Sequence, residues 1–302
     1  MLRSTNADNS AKRAKAARPW KGFRRRDSLI LAFVLAASSA ALTLSAAEGL
    51  TLSWQSNVLK VAGAKVPGGA IDIWWLEAFC RRGSTRRRWN ETTIPHQTKL
   101  LSASPDGKRL RLLSKVEPSV EVGQDLRAGK DEVEFRFELK NQGGQPVDLE
   151  WLEPCIRVDR FTGRNQSNYI SRCFIFTERG LTMLDQMPRN EEALYRGGQV
   201  YVPKEINPDD VNPRPISSVT PANGLIGCFS YDEQYLLATA WDQTQHLFQG
   251  VIVCIHSDPH VGGLKPHETK RLRGKLYLMQ NDPGALLTRY RKDFPVDAGR
   301  VK

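Results

Sequence analysis

Several familiar chemical signatures are missing from this chain. It has no Cys-x-x-Cys pair, no Gly-x-x-x-x-Gly-Lys phosphate loop, no dinucleotide glycine fingerprint, no Gly-x-Ser-x-Gly elbow and no His-Glu-x-x-His. Nucleotide chemistry and the common serine and zinc hydrolases are therefore poor expectations. There is no internal repeat and no low-complexity tract. Hydrophobic runs are short too. The longest uncharged stretch, Ser28 to Ala47, holds an apolar core of about 16 residues, below the roughly 20 that a membrane span needs.

What precedes that stretch is strongly basic: residues 1–27 carry nine Lys/Arg against Asp8 and Asp27. A basic segment, a short apolar core and the small-residue ending Ser45-Ala46-Ala47 read as a signal peptide over residues 1–47. Cleavage would release an exported chain beginning at Glu48, in the periplasm or outside the cell; uncleaved, the leader would be its membrane attachment. Arg25-Arg26 partly resemble a twin-arginine signal, but Ser28 stands where that motif wants an apolar residue. The formal charge of +11 belongs largely to the leader, because 35 Lys/Arg and 31 Asp/Glu follow it, a net +4. So modest a balance gives no ground for a nucleic-acid partner.

Five cysteines, Cys80, Cys155, Cys173, Cys228 and Cys254, are an odd number at wide spacings. Several sit in apolar strand-like runs, where cysteine behaves as a small buried hydrophobe, so free thiols are expected. From residue 48 on, period-two patterning dominates. Val133, Phe135, Phe137 and Leu139 alternate with charged residues, as Leu110 and Leu112 do with Arg109 and Arg111. About a dozen such runs, separated by turn chemistry such as Pro105-Asp106-Gly107, predict one large all-β domain, an antiparallel β-sandwich over residues 48–302. One helix is expected, over 282–294, capped by Asp282 with Pro283 in its first turn; Leu286, Leu287, Tyr290 and Phe294 share its apolar face. Between Pro203 and Ala222 lie five prolines, the composition of an ordered loop of about 20 residues, and loops that long are often functional.

Candidate chemistry is scattered. In Val251-Ile252-Val253-Cys254-Ile255-His256-Ser257-Asp258-Pro259-His260, a strand would carry Cys254, His256 and Asp258 on one face. The strand expected over 248–256, apolar on both faces up to Ile255, reads as central and buried, with Asp258-Pro259 ending it and taking His260 out of register. Three readings stay open: a strand end with local hydrogen bonds, a pocket using His256 or Asp258, and a metal site, which the loss of His260 disfavours. No metal and no cofactor is expected. A second cluster alternates Trp75, Glu77 and Phe79 with Trp74, Leu76 and Ala78, then places five arginines, Arg81, Arg82, Arg86, Arg87 and Arg88, beside Trp89. The arginines suit oxyanions, as on an acidic glycan, or simply a solvated hairpin loop. His96 is a candidate acid or base in a non-helical segment. Arg157 and Asp159 read as a same-face ion pair or as site residues, and Trp241 as core or as a platform for a sugar ring. As a set, His96, Glu77, Asp159 and His256 are the catalytic candidates, and Arg157, Trp241, Asp258, Arg81 and Trp89 the substrate-binding ones.

The stretches IWWLEAFCRRGSTRRRWNETTIPHQT, EPCIRVDRFTGR, NGLIGCFS and GVIVCIHSDPHVGGLKPHETKRLRGKLYLM resemble uncharacterised exported bacterial proteins of the planctomycete type, over most of the chain beyond the leader. More distantly, the strand-rich layout with its late Pro-x-Glu-Thr and Arg-Gly-Lys-Leu-Tyr-Leu strand is similar to the galactose-mutarotase-like supersandwich. That resemblance implies a carbohydrate context, binding or processing, with a histidine acid and a carboxylate base; the family's motifs are not matched residue by residue, and a fold does not establish catalysis. The alternative is a non-catalytic envelope or interaction module.

Overall fold

The computed structural model describes residues 49–196 and 198–295. The leader expected over 1–47 lies outside the described residues. Among those described, no helix is long and apolar enough to cross a membrane.

In chain order the strands are β1 (Thr51–Gln55), β2 (Val58–Ala62), β3 (Ala70–Cys80), β4 (His96–Ala103), β5 (Arg109–Val116), β6 (Val120–Ala128), β7 (Glu132–Asn141) and β8 (Trp151–Arg157). They continue as β9 (Cys173–Thr177), β10 (Gly180–Met183), β11 (Gln199–Tyr201), β12 (Ile226–Phe229), β13 (Tyr235–Trp241), β14 (Thr244–Gln249), β15 (Cys254–Pro259) and β16 (Thr269–Gln280). Three short helices, α1 (Trp89–Thr92), α2 (Asp159–Thr162) and α3 (Glu191–Arg196), precede the C-terminal α4 (Pro283–Asp293). The strands form a seven-stranded sheet, β1-β2-β3-β8-β15-β14-β11, and a nine-stranded sheet, β10-β9-β12-β13-β16-β7-β6-β5-β4. The assigned pairings within both are antiparallel. This is the sandwich that the alternating sequence predicts.

Between the sheets runs one apolar core, to which β7 contributes Val133, Phe135, Phe137 and Leu139 and β5 contributes Leu110 and Leu112. Its aromatic centre is Trp75, Phe135, Phe137 and Trp241, with Trp241 5.7 Å and 4.9 Å from the two phenylalanine rings. Trp241 is thus a correction: it is fully buried between the sheets and offers no face to a ligand. Its indole lies over Gly274, its cross-strand partner on β16, where a Cβ would stand only 2.5 Å from the ring. The outer face of the nine-stranded sheet is covered at one end by α4, whose Leu286, Tyr290 and Phe294 pack on Phe174, Leu236 and Tyr277. Asp282 caps that helix by accepting a hydrogen bond from the Ala285 N–H.

The strand expected over 248–256 is instead two strands. β14 ends at Gln249, the Gly250 N–H donates to the Cys254 carbonyl, and β15 begins at Cys254. Val251 sits on the hairpin turn, 38% exposed, so half of the apolar run is a turn. Pro259 remains within β15 and His260 still forms an isolated bridge with Trp151, so the proline interrupts the ladder later than expected.

Candidate functional site

Period two decides which side chains leave the core. Ile255 on β15 and Ile156 on β8 are paired and point between the sheets. Their neighbours Cys254 and His256, and Glu153 and Cys155, share the outer face of the seven-stranded sheet. The β14 register places Phe248 opposite His256 and His246 opposite Asp258. On the other side, β3 places Trp74 opposite Cys155 and Ala78 opposite Glu153, with a bulge between.

That bulge overturns the simple alternation expected of Trp74 to Phe79. Trp75, Leu76 and Phe79 all enter the core, whereas Trp74 and Glu77 stand out on the cavity side. Leu76 takes up the extra residue with a φ of 43°, in the left-handed region that a branched side chain rarely adopts. Asn57 braces the distortion: its carbonyl accepts from the Trp75 N–H, and its side-chain amide donates to the Trp75 carbonyl at 2.8 Å.

Above this face is a cavity of about 610 Å³. Glu153, Cys155, Cys254 and His256 line its floor and Glu77 its mouth; Trp74, Trp89, Arg87, Arg88 and Arg214 contribute to its walls and rim. Two loops form the roof. The Pro203–Ala222 loop supplies Asn212, Pro213 and Arg214, so the proline-rich stretch does border the candidate site. It is stapled to the arginine loop, where the Gly83 N–H donates to Asp210, the Thr85 hydroxyl to the Pro208 carbonyl, and Arg86 pairs with Asp209. Asn212 reaches down and donates to Glu153 Oε1 at 3.0 Å.

The floor is a line of close polar contacts. Cys254 Sγ lies 3.2 Å from His256 Nε2. His256 Nδ1 is 3.6 Å from Asp258 Oδ1 and 3.9 Å from Glu153 Oε1, and Asp258 Oδ2 is 2.8 Å from His246 Nε2. Each of these side chains is buried. Burial pushes Glu153 well above the ordinary carboxylate range, with His256 opposing it. For Asp258 burial acts in the same upward direction, but His246 and His256 prevail and hold it low. His256 is raised because Cys254 and Asp258 outweigh the burial that disfavours its charge. A hydrogen bond from Cys155, assisted by His256, brings Cys254 down to about 5. Partial desolvation at the cavity mouth raises Glu77, with His256 opposing. A carboxyl group and a thiol therefore lie within about 4 Å of the His256 imidazole, the proton affinities of all three displaced by their neighbours, an arrangement suited to moving a proton.

The candidates read from sequence divide. Glu77, His256 and Trp89 share the cavity. His96 and Arg81 line an adjoining groove that also reaches Glu77 and Trp89; His96 packs on Phe79, and Arg81 donates to the Glu91 and Thr93 carbonyls. Arg157 lies with its guanidinium 4.8 Å from the Trp74 ring centre and donates to the Val253 carbonyl, fixing the rim. Asp258 is behind His256 rather than in the cavity, so it positions the imidazole and does not itself meet a ligand. Asp159 is a correction: β8 stops at Arg157, the chain turns into α2, and Asp159 is exposed in its first turn, away from the cavity and the groove. The arginine loop is corrected in part, since Arg82 with Glu150, Arg86 with Asp209 and Arg88 with Glu91 brace the loop. Missed as site residues were Cys155, Cys254, Glu153, Trp74 and Asn212. The Glu153-x-Cys155 and Cys254-x-His256 spacings signal shared faces, but only the β8–β15 register brings the two pairs together.

No family model matches the sequence. No curated protein matches it either. Some solved structures superpose on about three quarters of the chain at low similarity. A galactose mutarotase-like protein from Clostridium acetobutylicum is 12% identical, over 76% of this chain and 94% of that one, with a TM-score of 0.40. A galactose mutarotase related enzyme from Lactobacillus acidophilus is 9% identical over 76% and 97%, at 0.39. A glycoside hydrolase family 97 enzyme from Pseudoalteromonas sp. strain K8 is 12% identical over 75% and 33%, at 0.35. Likeness of this degree establishes neither family nor chemistry for this chain.

Proposed function

We propose that this protein binds a carbohydrate in the Trp74–Trp89 cavity and processes it by proton transfer. The observation that carries this reading is the pairing of two exposed tryptophans at the rim, 40% and 43% accessible, with a buried acid–base floor. Aromatic rings left in water beside a concave site offer flat apolar faces to the C–H side of a sugar ring, while the floor's polar groups orient its hydroxyls. Glu77 at the mouth and His256 below it are the two groups placed to exchange a proton with a bound ring. Arg87 on the wall favours a ligand carrying a carboxylate or sulfate, hence an acidic glycan. The basic and apolar character of residues 1–47, and the resemblance to exported planctomycete-type proteins, support export to the periplasm or beyond.

Tryptophan fluorescence and calorimetry against a panel of neutral, uronate-containing and sulfated oligosaccharides test the reading. Saturable binding that weakens on the order of tenfold in Trp74→Ala and in Trp89→Ala supports it. Absence of binding across the panel removes it and leaves the non-catalytic interaction module. Binding with no change in the sugar's anomeric or uronate protons by NMR would keep the carbohydrate and discard the chemistry.

A further inference from the structure

We propose that Cys155, Cys254 and His256 form a site for a thiophilic divalent cation, with zinc as the reference ion, in the cavity floor. One donor atom from each lies within 4.8 Å of the others, and the Cys254 Sγ to His256 Nε2 separation is 3.2 Å. Tetrahedral zinc, with bonds of about 2.3 Å to sulfur and 2.0–2.1 Å to nitrogen, requires ligand atoms about 3.3–3.8 Å apart, so small rotamer adjustments would close the set. All three residues are buried. They come from two adjacent central strands whose register, Cys254 with Arg157 and Ile255 with Ile156, brings Cys155 opposite His256. Ligands on hydrogen-bonded strands are held more firmly than ligands on loops.

The surroundings match what such an ion requires. Two thiolates balance a dication, and an imidazole completes a three-ligand set of the open kind that leaves a fourth position for water or substrate. That position would face the cavity, where Glu77 and Glu153 form a second cluster with the same His256, again within 4.8 Å. Behind the imidazole, Nδ1 faces Asp258 and Glu153, and Asp258 is in turn held by His246. A carboxylate behind a ligating histidine fixes which nitrogen points at the metal and strengthens it as a donor. His256 Nδ1 and Glu153 Oε2 are buried without a hydrogen-bond partner, so this floor is polar and unsatisfied where the ion would sit. The case against a metal in Val251 to His260 counted donors along one strand; the donor that completes the set comes from the neighbouring strand.

This goes beyond the carbohydrate reading and shares His256 with it, while the two thiol ligands and the tryptophan rim belong to one proposal each. With the ion bound, His256 is a ligand and Glu77 is left to carry the proton, while the tryptophan rim is unaffected.

Cobalt(II) titration of the full-length chain, stripped of metal and kept reduced, provides the test. Expected are one equivalent bound, thiolate-to-cobalt charge-transfer absorption, visible bands of tetrahedral intensity, and displacement by zinc. Cys155→Ser and Cys254→Ser should each lose the charge-transfer band, whereas Cys173→Ser, buried elsewhere in the core, should keep it. Asp258→Asn should weaken affinity by about 10–100-fold while keeping the band. Circular dichroism checks that each variant is folded, and the wild-type titration needs no variant. Absence of the band in reduced wild-type protein overturns the proposal. So does a band that survives Cys254→Ser, or a Cys155–Cys254 disulfide as the resident state by mass spectrometry. Trp74→Ala and Trp89→Ala should bind cobalt normally, which separates failure at the floor from failure at the rim.

Discussion

Trp75 and Glu77 are two residues apart on one strand, yet they point to opposite sides of the sheet, Trp75 into the core and Glu77 toward the cavity. An unbroken strand would put them on the same face. The bulge at Leu76 separates them, and it is what allows a strand this aromatic to fill the core and still deliver a carboxyl group to the site.

The bulge is braced by Asn57. Asn57→Gly keeps the left-handed backbone at φ 59° but removes the 2.8 Å bond to the Trp75 carbonyl. The expected cost is about 1 kcal/mol in urea unfolding, with weaker ligand binding although Asn57 lies outside the cavity lining. Unchanged binding would show that the bulge holds Glu77 without this brace.

Gly274 has no room for a side chain beneath Trp241. Gly274→Ala should destabilise by about 1–3 kcal/mol through overpacking, read as a lower melting temperature. Trp241→Phe should also lower stability and leave carbohydrate binding unaltered, as should Asp159→Asn without the stability loss. A ligand-binding defect in either would return those residues to the site.

The rim tryptophans should behave in the opposite way. Trp89→Ala is expected to reduce ligand affinity on the order of tenfold while moving stability by no more than about 1 kcal/mol, because the residue is 43% exposed. Paired calorimetry and thermal melts measure both quantities on one sample.

Acid sensitivity should be visible on the nine-stranded sheet. Burial would raise Asp125, but hydrogen bonds from Arg109 and Arg127 prevail and hold it at about 2. Its folded value lies below the unfolded one, so its contribution is complete above about pH 4 and disappears as pH falls toward 2. Asp125→Asn should therefore cost on the order of 1–2 kcal/mol at pH 7, and the gap from wild type should close between pH 4 and 2. A gap independent of pH would mean that shape, not charge, holds these strands.

Much of the architecture is legible without coordinates. Val133 to Leu139 announce β7 because a half-buried strand must alternate, and Asp282-Pro283 announce α4 because a helix start must satisfy its free N–H groups. β4 was not legible, since an edge strand with Lys99, Leu100 and Leu101 exposed carries no burial pattern. The hairpin turn at 250–253 was hidden for the opposite reason: its residues are as apolar as the strand that follows.

Composition and period two, read along the chain, were enough to establish an all-β sandwich and to put His256 on a face with Cys254 and Asp258. These are local properties, set by backbone geometry within a few residues. Which strands lie side by side was decided only by folding. Cys155 and Glu153 meet His256 because β8 and β15, about a hundred residues apart, pair in one register, and a one-residue slip would send either pair into the core. The same global packing removed Trp241 and Asp159 from the site and brought Trp74 and Asn212 to it. The chemistry of each side chain is a matter of sequence, and the site is a matter of register.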